Sequence, residues 1–171
     1  MKKNKKKLNF RAGFSLIEVL AVLFVVSISL LGVVSLIIQN IQVQSVNKNN
    51  LIASSLAQEG IEFARKKRDS NWRSGLNFDS GLADGSYIID IYSGQMVPST
   101  NPEDAKLYFG ESNYYSHESA PDSSTPFSRL VHIEKLEEYE GEPLEVRSVV
   151  FWEGQNRPYS YELRTLLFDW R

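Results

Sequence analysis

Residues 14–38 read FSLIEVLAVLFVVSISLLGVVSLII, 25 positions with one charge, Glu18, and the last twenty, from Val19 to Ile38, carry none. A helix rises about 1.5 Å per residue, so this run spans a hydrocarbon core of about 30 Å. Immediately before it lie Lys2, Lys3, Lys5, Lys6, Lys7 and Arg11, with no acid among the first thirteen residues. A cationic flank of that kind stays on the cytoplasmic side, so the body after residue 38 is expected outside the membrane.

The length and flanks of the run separate three readings. An ordinary secretory signal has an apolar core of about 7–15 residues and a small-residue cleavage site after it. This run is longer, and Leu36-Ile37-Ile38-Gln39-Asn40 offers no such site. A plain signal anchor accounts for length and charge and leaves Glu18 without a task. A carboxylate in a spanning segment is unfavourable by about 3 kcal/mol and usually has a partner or a role.

The third reading uses every one of these features. The leader ends in Gly13, and then come Phe14, the polar Ser15, the aliphatic Leu16 and Ile17, and Glu18. This pattern resembles the class III signal and first helix of type IV pilins and pseudopilins. The resemblance covers about the first 40 residues. It implies that a prepilin peptidase cuts between Gly13 and Phe14 and methylates the new Phe14 amine. It also implies assembly with other pilin or pseudopilin subunits, at an inner-membrane assembly platform, with Glu18 as the assembly charge. A neighbouring subunit's amine would neutralise Glu18. The plainer alternative is that Glu18 snorkels to the interface or favours the positive end of the helix.

Helical character continues past the apolar run. Gln39 to Arg68 contains no proline and one glycine, Gly60. Ile52, Leu56 and Phe63 recur at helical spacing, beside a small stripe of Ala53, Ala57, Gly60 and Ala64. The cations Arg65, Lys66, Lys67 and Arg68 suit a helix C-terminus, which predicts one helix from about Phe14 to Arg68, about 80 Å long. The stretch Leu56 to Trp72 also resembles minor pilins and pseudopilins. Many major pilins carry a proline in the membrane helix; this chain has Gly32 and Ser35 there, which with Ser27 and Ser29 suit close helix packing.

After Trp72 the period changes to two. Tyr87, Ile89 and Ile91 alternate with Asp90. Phe127, Val131 and Ile133 alternate with Ser128, His132 and Glu134. Leu144, Val146, Val150 and Trp152 alternate with Glu145, Arg147 and Glu153. Tyr159, Tyr161, Leu163 and Leu167 alternate with Ser160, Glu162 and Arg164. Gly141 and Pro143, then Gly154, Asn156 and Pro158, separate the last three runs. The expected fold is α+β and pilin-like: a long N-terminal helix packed on a small antiparallel sheet of three or four strands. The expected organisation is a basic leader (1–13), a transmembrane and assembly segment (14–38) and an exported head (39–171), its helical part ending at 68. Within 93–126, rich in Pro, Ser and Asn, Leu107-Tyr108-Phe109 and Tyr114-Tyr115 flank GESN as a candidate hairpin.

Composition narrows the chemistry. The chain has no cysteine, which excludes disulfides, zinc–thiolate sites and a cysteine nucleophile. Six of the 19 basic residues lie in the leader, so the remainder carries 13 basic against 21 acidic residues, a net −8. Nucleic acid is not an expected partner for a body of that sign. The two histidines, His117 and His132, lack a second histidine at metal spacing, and no phosphate loop or nucleophile elbow is present. His132 falls on the polar side of its strand and reads as solvated. Asp79 with Asp84-Gly85 reads as an ordinary turn, and the acidic run Glu134 to Glu145 as a solvated hairpin tip. No metal, cofactor or catalytic residue is expected. The sequence thus reads as a structural filament subunit, in one membrane pass, destined for an extracellular or periplasmic filament. Its rivals are a tip-located minor pilin that binds DNA or a surface ligand, and a signal-anchored extracytoplasmic enzyme.

Overall fold

The computed structural model describes residues 13–110, 114–118, 123–154 and 157–170. The cationic leader residues, and most of the link between the two candidate hairpin strands, lie outside these. The chain divides into two compact units, Met1–Ser45 and Val46–Arg171.

One helix, α1, runs from Leu16 to Arg73 and belongs to both units. Its part in the first unit exposes its apolar residues throughout. It ends a turn beyond the expected Arg68, and the reason is tertiary. Asn71 and Trp72 are buried. Asn71 Nδ2 donates to the carbonyls of Phe78 (3.0 Å) and Ser80 (2.8 Å), which ties the last turn to the following loop. Trp72 Nε1 donates to Asp169 at 3.1 Å, and its ring meets Trp170 edge-on. The four cations marked the approach of a helix end and missed these anchors.

Among the described residues the second unit is α+β, with a seven-stranded antiparallel sheet. The strands are β1 (Gly85–Ile89), β2 (Met96–Pro98), β3 (Lys106–Phe109), β4 (Tyr115–Ser116), β5 (Ser124–Lys135), β6 (Leu144–Gly154) and β7 (Arg157–Leu167). β5, β6 and β7 form a meander, with Phe127 opposite Trp152 and Leu144 opposite Leu167. The other edge of β5 is shared: β1 pairs with it around Val131 and β3 around Ser128. The register shifts between Lys106 and Tyr108, opposite the stretch containing Pro126. A proline has no N–H to give a ladder and is accommodated at such an irregularity.

The sheet therefore exceeds the expected three or four strands. β2 and β4 have three and two residues, too few for an alternating pattern to show. β3 and β4 pair as the candidate hairpin required. β1 stops at Ile89, before the expected Ile91, because Asp90 Oδ1 accepts from the Tyr92 amide at 2.9 Å and turns the chain into β2. At the β5–β6 tip Gly141 has φ 83°, a conformation that glycine adopts without strain.

The packing face of α1 combines the small-residue stripe with Leu56 and Ile61. Ala53, Leu56, Ala57, Gly60, Ile61 and Ala64 are buried, while Ile52 and Phe63 lie half-buried at the margins. At Gly60 the helix approaches β6 so closely that an added Cβ would lie 2.5 Å from Ser148 Oγ and 3.0 Å from Val131 Cγ2. Large side chains along this line would hold the helix off the sheet. Among the described residues two apolar clusters form the core, one around Trp72, Leu82, Ile133 and Leu167, the other around Leu56, Leu107, Phe127 and Trp152.

Candidate processing and assembly site

The junction precedes the helix. Gly13, Phe14 and Ser15 have no regular structure, and α1 starts at Leu16. The Ser15 carbonyl accepts from the amides of Glu18 (3.0 Å) and Val19 (3.2 Å), so Ser15 holds the cap position and Glu18 the third helical position. No atom lies within 4 Å of a Cβ built on Gly13, and Phe14 is 85% exposed. The Gly13–Phe14 peptide bond thus lies outside the helix. Cleavage there leaves an amine on Phe14, four residues before an exposed carboxylate in the first helical turn. The helix dipole favours that carboxylate and disfavours an amine on the same terminus.

The apolar run is suited to helix–helix contact along its length. Ser27 Oγ donates to the Leu23 carbonyl (2.7 Å) and Ser29 Oγ to the Val25 carbonyl (2.8 Å). These hydroxyls are satisfied within their own helix and leave a small, nearly apolar surface. Gly32 has nothing within 4 Å of its Cβ position.

Residues 8–34 match the family model described as the prokaryotic N-terminal methylation motif. The chain carries a prokaryotic N-terminal methylation motif. This motif is the leader of type IV pilin and pseudopilin precursors, and it implies processing by a prepilin peptidase and assembly with other pilin subunits. It covers Gly13 and Phe14, Glu18 and most of the apolar run, and none of the second unit. No curated protein and no solved structure matches the chain. The near-N-terminal helix fits a membrane-anchored pilin by length and composition.

The second unit holds polar groups that the strand pattern had placed otherwise. His132 is half-buried rather than solvated, and its Nδ1 lies 2.6 Å from Ser86 Oγ on β1. Burial, then the Arg147 charge, lowers its pKa. His117 is lowered too, by burial first and then by Arg129, and its Nδ1 faces the Lys106 carbonyl at 3.1 Å. Asp84 Oδ1 accepts from the Lys135 amide (2.8 Å), and Asp79 lies 3.8 Å from Lys135 Nζ, so both serve a loop clamp. Among the described residues no three His, Asp or Glu side chains are grouped as a metal site.

Arg129 is the residue the alternation should have singled out. It shares strand parity with Phe127, Val131 and Ile133, and it is 1% exposed. Its Nη1 donates to Glu59 (3.0 Å) and to the Leu56 carbonyl (3.1 Å), and its Nη2 to the Ile89 carbonyl (3.0 Å). One guanidinium thus joins α1, β1 and β5.

Proposed function

We propose that the chain is a structural, non-enzymatic subunit of a type IV pilus or a type II secretion-like pseudopilus, in a minor rather than the major position. In this reading residues 1–13 are a leader removed between Gly13 and Phe14, residues 14–38 the transmembrane and assembly segment, and residues 39–171 an extracytoplasmic head. Its N-terminus lies in the cytoplasm. The observation that carries the reading is the methylation motif over residues 8–34, set on an apolar helix whose side chains are exposed.

The mechanism follows from the cost of an uncompensated carboxylate in hydrocarbon. The processed chain waits in the membrane with Glu18 near the start of its helix. At the assembly platform, the methylated Phe14 amine of one subunit meets Glu18 of the next. Two unit charges about 4 Å apart attract by about 4 kcal/mol at an effective dielectric near 20, before desolvation is subtracted. That gain exists only in the docked register, so it couples extraction to correct placement. The apolar helices then bury against one another in the filament core.

Mass spectrometry of the mature N-terminus tests the reading. A membrane form beginning at methylated Phe14 supports it. An uncut chain in cells that hold an active prepilin peptidase, or a cut elsewhere, overturns it.

A further inference from the structure

A groove of about 530 Å³ crosses four strands of the second unit. The strand register gives its floor. Lys106 on β3 stands opposite Ser128 on β5, Ser128 opposite Phe151 on β6, and Glu153 on β6 opposite Pro158 on β7. All of these line the groove. Phe127 and Trp152, one position away on the same strands, pack with Ala53 and Leu56 of α1. Side chains alternate along a strand, so the groove lies on the sheet face turned away from α1.

Two features set the groove apart from an ordinary dip in the surface. Three of the chain's six prolines, Pro102, Pro126 and Pro158, line it. Their fixed φ holds the walls in shape, which lowers the ordering cost of binding. The second feature is charge. Further along the same face Glu134, Glu145, Arg147, Glu162 and Arg164 are linked by ion pairs. Glu103, Lys106 and Glu153, at the groove, have no ion-pair partner among the described residues. All three are exposed, so their charged ends are free to meet a ligand.

We propose that this groove binds a neutral carbohydrate, with one sugar ring packed on Phe151. Carboxylates only accept hydrogen bonds, and an ammonium only donates them. A ligand that satisfies Glu103, Glu153 and Lys106 together therefore brings donors and acceptors side by side, as neighbouring hydroxyls do. The half-buried Phe151 supplies an aromatic surface at the floor, and the negative face of such a ring attracts the C–H groups of a sugar. The volume falls within the range of about 300–1,000 Å³ usual for small-ligand sites. A phosphate-bearing ligand would set its charge against two carboxylates. A basic peptide would set its charge against Lys106, and the paired strands of the floor offer it no open edge. The groove lies wholly in the second unit, so its binding does not depend on processing at Gly13.

The test applies the full chain, in a detergent whose headgroup is not a sugar, to a printed array of neutral oligosaccharides. Sialylated and sulfated oligosaccharides and an oligolysine peptide are the comparison arms. Binding to at least one neutral oligosaccharide, little changed by salt, is expected. Phe151→Ala should weaken it roughly tenfold, and Phe151→Tyr, which keeps the ring, should retain it. Glu153→Gln and Lys106→Gln, at exposed positions that leave the core untouched, should each weaken it roughly tenfold. Glu134→Gln, on the same face and outside the groove, should change nothing. Three outcomes overturn the proposal: no neutral oligosaccharide bound, binding confined to the charged sugars or to oligolysine, or neutral binding that Phe151→Ala, Glu153→Gln and Lys106→Gln leave unchanged.

Discussion

The Arg129 guanidinium, inside the second unit, lies 3.0 Å from the Glu59 carboxylate, which is itself 43% exposed. The pair is therefore asymmetric: one charge is almost fully desolvated and the other still touches water. Burial pushes the Arg129 pKa down, and Glu59 opposes that shift. Two backbone carbonyls share the load, so the cation does not rest on Glu59 alone. Such a group fixes the rotation of α1 on the sheet, because turning the helix separates the guanidinium from both Glu59 and the Leu56 carbonyl.

A fragment beginning near Lys48 is expected to be soluble and to unfold cooperatively, since both apolar clusters lie within Val46–Arg171. In it Arg129→Ala should cost about 3–5 kcal/mol, from the cavity and from the hydrogen bonds lost to the Leu56 and Ile89 carbonyls. Glu59→Gln should cost less, about 1–2 kcal/mol, because the amide still accepts a hydrogen bond and the site is partly wet. Urea denaturation measures both. Equal losses for the two variants would argue against the asymmetry.

Gly60→Ala tests the closeness of the helix. Alanine gains about 1 kcal/mol of helix propensity, yet its methyl would sit 2.5 Å from Ser148 Oγ and 3.2 Å from Ser148 Cβ. The expected net effect is a loss of about 1–2 kcal/mol. Ser148→Ala removes the nearer atom, a buried hydroxyl with no hydrogen-bond partner among the described residues. The double variant should recover at least half of the loss, a coupling that a double-mutant cycle in denaturant reads directly. Strict additivity would mean that the clash is relieved elsewhere.

The two histidines set a pH dependence. Both have depressed pKa values, so the fold prefers the neutral imidazoles. Their contribution is complete above the unfolded-state value, about 6.5, and is lost as the pH falls through the lower folded-state values. Thermal stability of the fragment is expected to fall between about pH 7 and pH 5. His132→Gln, which keeps a polar group beside Ser86, should flatten that slope. A slope unchanged in the His132 and His117 variants together would assign it to carboxylates.

Glu18→Val is expected to leave cleavage at Gly13 intact and to lower incorporation into filaments. The substitution removes a costly carboxylate from the membrane segment and with it the proposed partner of the next subunit's amine. The mutant should accumulate as a processed membrane pool. The ratio of mature protein in sheared filaments to that in membranes checks this. An unchanged ratio would confine Glu18 to a local role at the helix start. Gly13→Val, with a β-branched residue at the cut, should instead leave the precursor unprocessed on a gel-shift assay.

The methylation motif over residues 8–34 was legible without any structure, because its signals are local. Charge flank, junction residues, acid position and apolar length are read along the chain, and a membrane selects on length and polarity alone. The three long strands were legible for a similar reason: eleven or twelve residues of alternation fix strand and face together. The tertiary structure decided what depends on neighbours distant in sequence. Only it shows that the small stripe, Ala53 to Ala64, is the contact line, because closeness of approach belongs to two elements at once. Only it adds β2 and β4, whose pairing holds segments too short to declare a period. It also assigns Arg129 a buried place. Its parity pointed inward, but a cation is tolerated there only because Glu59, Leu56 and Ile89 converge on it from two other elements.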